Sequence, residues 1–196
     1  MSEALDRFRE SMDSTERQWV DDYDLDALGA LPPDELAQAE QLLIRRLDAA
    51  DARAPRALVA VGSSQAVPLL RARLEGSHGA MRVEVALALW RLAQFGAAAD
   101  AIGAVLHDED ASDRLYAAHA LMEFPSPAVE QALLAAAAGD QDRDVRTTAA
   151  TSLLSIRGVL SSLFDDSQRG LMMRLDSDDP AEVAAAADTL RELTRP

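Results

Sequence analysis

Three arginines spaced 32 residues apart, Arg82, Arg114 and Arg146, mark a period running through the second half of the chain. Val85, Ala117 and Ala149 keep the same spacing. So do Ala86/Ala118/Ala150, Leu89/Leu121/Leu153 and Leu92/Phe124/Ile156. Five columns in register through three units constrain the fold more than anything else in the chain. A fixed period of this length belongs to stacked supersecondary units, because one unit cannot bury its apolar face alone. Each unit has a helical apolar pattern, a break at Phe95-Gly96, Pro125-Ser126-Pro127 or Arg157-Gly158, and a second apolar run. The second runs carry Ile102/Val105/Leu106, Val129/Leu133/Leu134 and Leu163/Leu171/Leu175. This spacing predicts helical hairpins.

The clear units span 80–108, 111–140 and 142–175. Residues 51–76 form a degenerate first unit, in which Leu58 and Val61 precede Leu89 and Leu92 by 31. Its helices are expected to end at Val61-Gly62 and to run over about 64–75. The last unit is stretched, since Leu153 finds its equivalent 37 residues on, at Leu190. The five extra residues are placed near Phe164-Asp165-Asp166-Ser167-Gln168. Pro180 opens a final helix over about 180–194, read as a C-terminal cap. Upstream, Pro33 followed by Asp34-Glu35 makes a good helix start. That helix runs to about Ala50, with Leu36, Ala39, Leu42, Leu43 and Leu47 on one face. Residues 2–31 read as one or two short helices. The expected organisation is an N-terminal helical cap over 1–50 and a repeat array over 51–196.

The net charge is −15, and 8 of those charges fall in residues 1–50, with 13 Asp/Glu against 5 Arg. Such a field repels phosphate backbones and anionic membranes and attracts a basic partner. All 19 basic residues are Arg, which fits a GC-rich or mildly halophilic source. There is no Cys, and hence no disulfide or thiolate site. The N-terminus lacks the charged and apolar regions of a signal peptide, and no window approaches a membrane span. A cytoplasmic protein, monomeric on its own and engaging neither nucleic acid nor membrane, is expected.

The repeat columns resemble HEAT repeats, and more narrowly the short HEAT-like repeats named after phycobilisome lyases. Asp142, Val145, Arg146, Ala149, Ala150 and Leu153 match that pattern best. Arg114, Ala117, Ala118, Ala120 and Leu121 follow, then Arg82, Val85, Ala86, Ala88 and Leu89. The resemblance covers about residues 51–196. It implies an all-α fold, a right-handed α-solenoid of helical hairpins. Repeats of this kind occur in scaffolds, lyase subunits, hydroxylases, DNA glycosylases and toxin-neutralising proteins, so it does not fix a function.

No constellation supports catalysis. His78, His107 and His119 lack the His-Glu pairing of a di-iron hydroxylase, and there is no nucleophile motif or phosphate loop. No catalytic residue, metal ligand or cofactor is assigned. The arginine column reads as a structural ladder in which each guanidinium ties neighbouring units together. The positive signal is acidic. Asp21, Asp22, Asp24 and Asp26 surround Trp19 and Tyr23, like aromatic anchors with a charged rim. Asp108, Glu109 and Asp110 lie on one inter-unit turn, and Asp140, Asp142 and Asp144 on the next. Stacked turns would form a negative stripe, although capping and solubility also account for such acids. The expected function is non-catalytic protein binding, with a basic partner. An immunity or antitoxin protein that neutralises a basic effector such as a nuclease is the sharper version. A lyase- or hydroxylase-type subunit and a general assembly scaffold are the alternatives.

Overall fold

The computed structural model describes residues 2–13, 23–159 and 166–195, and every regular element among them is helical. In chain order these are α1 (Glu3–Asp13), α2 (Leu25–Gly29), α3 (Pro33–Asp48), α4 (Ala54–Ala60), α5 (Ala66–Gly76) and α6 (Gly79–Ala93). They continue with α7 (Ala98–Gly103), α8 (Ala111–Ala120), α9 (Pro127–Gly139), α10 (Arg143–Ile156), α11 (Asp166–Leu175) and α12 (Pro180–Leu193). Single 3-10 turns extend α7 through Ala104–His107 and α8 through Leu121–Glu123. The five-residue expansion expected near Phe164–Gln168 falls partly outside the described residues. The chain divides into two compact units, Met1–Ser77 with Glu84–Ala98, and His78–Val83 with Ala99–Pro196.

In the first unit, Leu5, Phe8 and Met12 bury one stripe of α1, and Ala39, Leu43 and Leu47 bury one stripe of α3. These are the three- and four-residue spacings of a helix with one apolar face. α3 begins at Pro33, whose fixed φ suits a first helical turn. It stops at Ala50, which takes φ 63° and lets the Asp51 amide donate back to the Arg46 carbonyl. Leu58 of α4 and Leu70 of α5 are fully buried, and Arg56 pairs with Glu84 at 2.5 Å.

In the second unit the columns become a core. Ala117, Ala118 and Leu121 are buried, and so are Ala149, Ala150 and Leu153. The stretched spacing holds too, because Ala186, Ala187 and Leu190 of α12 are buried 37 residues further on. Alanines at these positions let α8, α9, α10 and α12 approach closely. Phe124 and Ile156 are only half-buried, so their column lies at the rim of the core. The breaks have local causes. Phe124 precedes a proline and leaves the helical region at φ −124°, ψ 63°. Ser126 then caps α9, whose first residue is Pro127. Asp110, Asp142 and Asp179 cap α8, α10 and α12 by accepting from backbone amides of the first turn.

Two arginines of the column, Arg114 and Arg146, clamp the hairpins. Arg114 Nη1 donates to the carbonyls of Asp108 and Glu109, 3.0 and 2.9 Å away. Its Nε and Nη2 grip both carboxylate oxygens of Asp140, one turn onward, at 2.8 and 2.9 Å. Arg146 repeats the arrangement 32 residues later. Its Nη1 donates to the carbonyls of Asp140 and Gln141, while Nε and Nη2 reach forward to those of Leu175 and Ser177. Each guanidinium therefore closes the turn before its own helix and holds the next turn. On α12 the equivalent position, 37 residues after Arg146, is Val183. The start of α6 is held differently. It has no capping aspartate of its own, so the amides of Gly79 and Ala80 donate to Asp108 at 2.9 Å and Asp113 at 2.8 Å.

Candidate acidic docking surface

The acids of the two turns sort into those engaged inside the second unit and those left at its surface. Asp108 is half-buried and receives the Gly79 amide. Asp140, with a side chain only 7% exposed, receives Arg114 and the Asp142 amide. Burial alone would raise its carboxyl; the hydrogen bonds from Arg114 and Asp142 outweigh that and hold it below the usual carboxylate range. Asp140 in turn pushes the Arg114 guanidinium further up. Asp110 and Asp142 are N-caps. Glu109 and Asp144 are exposed on these turns, as is the Asp110 cap. Arg114 bridges the 108–109 turn to Asp140, so the two expected acidic groups are neighbours. Much of their charge, however, is spent on caps and clamps.

The N-terminal group looks different from its sequence. Trp19, Asp21 and Asp22 lie outside the described residues. Tyr23, expected as a partner-facing aromatic, is 2% exposed and belongs to the core of the first unit. Phe8 meets its ring edge-on, with centroids 6.0 Å apart, and the Arg53 guanidinium lies over the ring at 4.6 Å. Its hydroxyl donates to Asp51 at 2.7 Å, and Arg53 holds the same carboxylate. Burial and the Asp51 carboxylate raise the phenol well above its ordinary pKa. A buried ring with a satisfied hydroxyl has nothing left to offer a partner. Asp24 caps α2 and pairs with Arg7 at 2.6 Å. The Ala27 amide, then Arg7, hold its carboxyl below the usual range. Asp26 is exposed.

Two open grooves lie in the second unit. One, of about 280 Å³, runs between α7 with its 3-10 extension and α9. Its flanks are Ala99, Gly103, Ala104, Ala128 and Ala132, with Asp100 and His107 at the rim. Small residues on both flanks leave it open. His107 is followed directly by Asp108, so the groove leads to the first acidic turn. The second groove, of about 230 Å³, lies among α9, α10 and α12. Arg157, Arg191 and Arg195 face it, and they did not stand out in the sequence because they come from two helices in different register. Both volumes fall below the ~300–1,000 Å³ of sites that enclose a small-molecule ligand. Among the described residues, no group of three His, Asp or Glu side chains is arranged to hold a metal ion. All three histidines are exposed. No helix among the described residues is long and apolar enough to cross a membrane.

Compared with protein families, residues 99–191 match HEAT repeats. The match supports a HEAT-repeat protein, and it falls on the segment where the clamps and acidic turns recur. HEAT repeats generally mediate protein–protein interaction and are typically non-catalytic scaffolds. Neither a curated protein nor a solved structure matches the chain.

Proposed function

We propose that this chain is a non-catalytic HEAT-repeat module that binds a basic protein through its acidic inter-hairpin turns. In this proposal the array over 51–196 is a right-handed solenoid, residues 1–50 close its N-terminal end, and the protein is cytoplasmic and monomeric when free. The observation that carries it is the exposure of Glu109, Asp110 and Asp144 on successive turns bridged by Arg114. The turns are fixed in place, so little ordering entropy is lost when a partner docks. Their charge steers encounter, and the neighbouring groove offers an apolar seat next to Asp108. A small acidic binder of this kind suits neutralisation of a basic effector, which gives the immunity reading its place as the finer proposal.

Glu109→Gln with Asp144→Asn tests it, because neither side chain caps a helix or serves a clamp. A basic partner is captured from native lysate at low salt, and its association rate is measured against wild type and variant. The variant is expected to associate several-fold more slowly at low salt, with the difference vanishing at high salt as exposed charges are screened. Equal rates at low salt would remove these turns from the interface.

A further inference from the structure

The second groove sits at the opposite ends of the helices from the acidic turns. Asp142 caps the start of α10 and Arg157 follows its end. With 14 residues between them, the two edges lie about 21 Å apart at 1.5 Å per residue. On α12, Asp179 caps the start, and Arg191 and Arg195 stand at the end. One edge of the second unit is therefore acidic and the other carries arginines.

Three guanidiniums and one carboxylate, Glu130, line the groove, in a chain whose net charge is −15. Arg157 is engaged by Glu130 at 2.5 Å, and Arg191 by Asp188. These pairs are partly exposed, a setting where an ion pair is worth only about 0–1 kcal/mol, so an incoming carboxylate competes with them on even terms. Arg195 is exposed at the rim. The floor is apolar, formed by Pro127, Leu134 and the buried Leu153. A floor of this size seats one aliphatic side chain.

From this geometry we infer that the groove is a second docking site, which takes an acidic peptide segment of a partner protein. One aliphatic side chain rests on Leu134 and Leu153, and flanking carboxylates meet Arg157, Arg191 and Arg195. Forked guanidiniums suit carboxylates because they donate two parallel hydrogen bonds. Nucleic acid is the poorer fit, since no aromatic ring lines the groove to stack a base. This site is independent of the acidic turns and opposite in sign.

The test uses the full chain and a short fluorescein-labelled peptide of one leucine flanked by glutamates, followed by fluorescence anisotropy. The same peptide with lysines in place of glutamates is the control. Wild type is expected to bind the glutamate peptide at least about tenfold more tightly than the lysine peptide, the value of one charge-assisted hydrogen bond. Arg191→Gln with Arg195→Gln, both at exposed positions, should abolish that preference while leaving the circular dichroism spectrum unchanged. Glu130→Gln should tighten the glutamate peptide about threefold, because it frees Arg157 without removing a cation. No binding, equal binding of the two peptides, or a Glu130→Gln variant that binds no better would overturn the proposal. So would displacement of the peptide by a single-stranded oligonucleotide. Concentration-dependent self-association that the same arginine variants abolish would assign the groove to a second copy instead.

Discussion

Arg146 should contribute more to stability than any surface arginine in the chain. It is 6% exposed and donates four hydrogen bonds, all to backbone carbonyls, across two turns. Replacement by Met keeps the aliphatic stem and deletes every donor. The Leu175 carbonyl, whose bond to Nε is buried at 2.7 Å, is then left unsatisfied at the end of α11. Losing a buried bond to a charged donor costs about 1.5–3 kcal/mol, and the three partly solvated bonds about 0.5–1 kcal/mol each. The sum is roughly 3–6 kcal/mol, a large part of the ~5–15 kcal/mol that keeps a typical domain folded. At about 2–4 °C per kcal/mol for a chain of this size, the melting temperature should drop by roughly 6–24 °C. Arg143→Met is the control. Arg143 lies on the same helix, its side chain is 60% exposed, and it sits 3.7 Å from Asp176, so its loss should cost under about 0.5 kcal/mol. Arg146→Lys should fall between the two, because an ammonium cannot reach four carbonyls spread over a forked span. Urea unfolding followed by far-ultraviolet circular dichroism gives all three values. If Arg146→Met and Arg143→Met agree within about 0.5 kcal/mol, the limit of a surface effect, the clamp does not tie the turns together.

Acid should loosen the second unit through Asp140. Its folded carboxyl lies below the unfolded value of about 3.9, so its contribution is full above that pH and is lost as pH falls through the folded pKa. Asp140→Asn should therefore unfold at lower urea than wild type at pH 7, yet lose less stability between about pH 5 and pH 2; parallel declines would show that Asp140 is not the titrating group. Gly79 takes φ +54°, and a Cβ there would collide with the Asp113 carboxylate. Gly79→Ala should cost about 2 kcal/mol in calorimetry, from the left-handed backbone and the displaced carboxylate. The same substitution should cost less in an Asp113→Ala background, and an equal cost in both would assign the whole effect to the backbone.

The helices were legible because burial repeats. Ala118, Ala150 and Leu153 show as columns since each copy of the unit needs the same small or branched side chain at the same contact. The clamp arginines showed for the same reason. Their partners did not, because an aspartate in a polar turn reads alike whether it faces water or a guanidinium, and Asp140 does the latter. Tyr23 misled because its sequence neighbours are acids, whereas the chain path brings Asp51 and Arg53 to it from about 30 residues away. The start of α6 did carry a signal. Ser77-His78-Gly79 lacks the aspartate found before α8, α10 and α12, and the missing cap comes from Asp108 and Asp113 instead. The arginine groove was hidden by the 37-residue step to α12, which takes Arg191 and Arg195 out of the 32-residue register.

The clamps have a direction. Each guanidinium holds the turn that follows it in the chain, and the column reads Arg114, Arg146, then Val183. Valine offers nothing for a following turn to fasten to. A further hairpin spliced in after α12 would thus find no latch, and fastening it in the same way would require Val183→Arg as well as the added repeat. The latch is carried by a single residue in each of these hairpins, and α12 has a valine in its place.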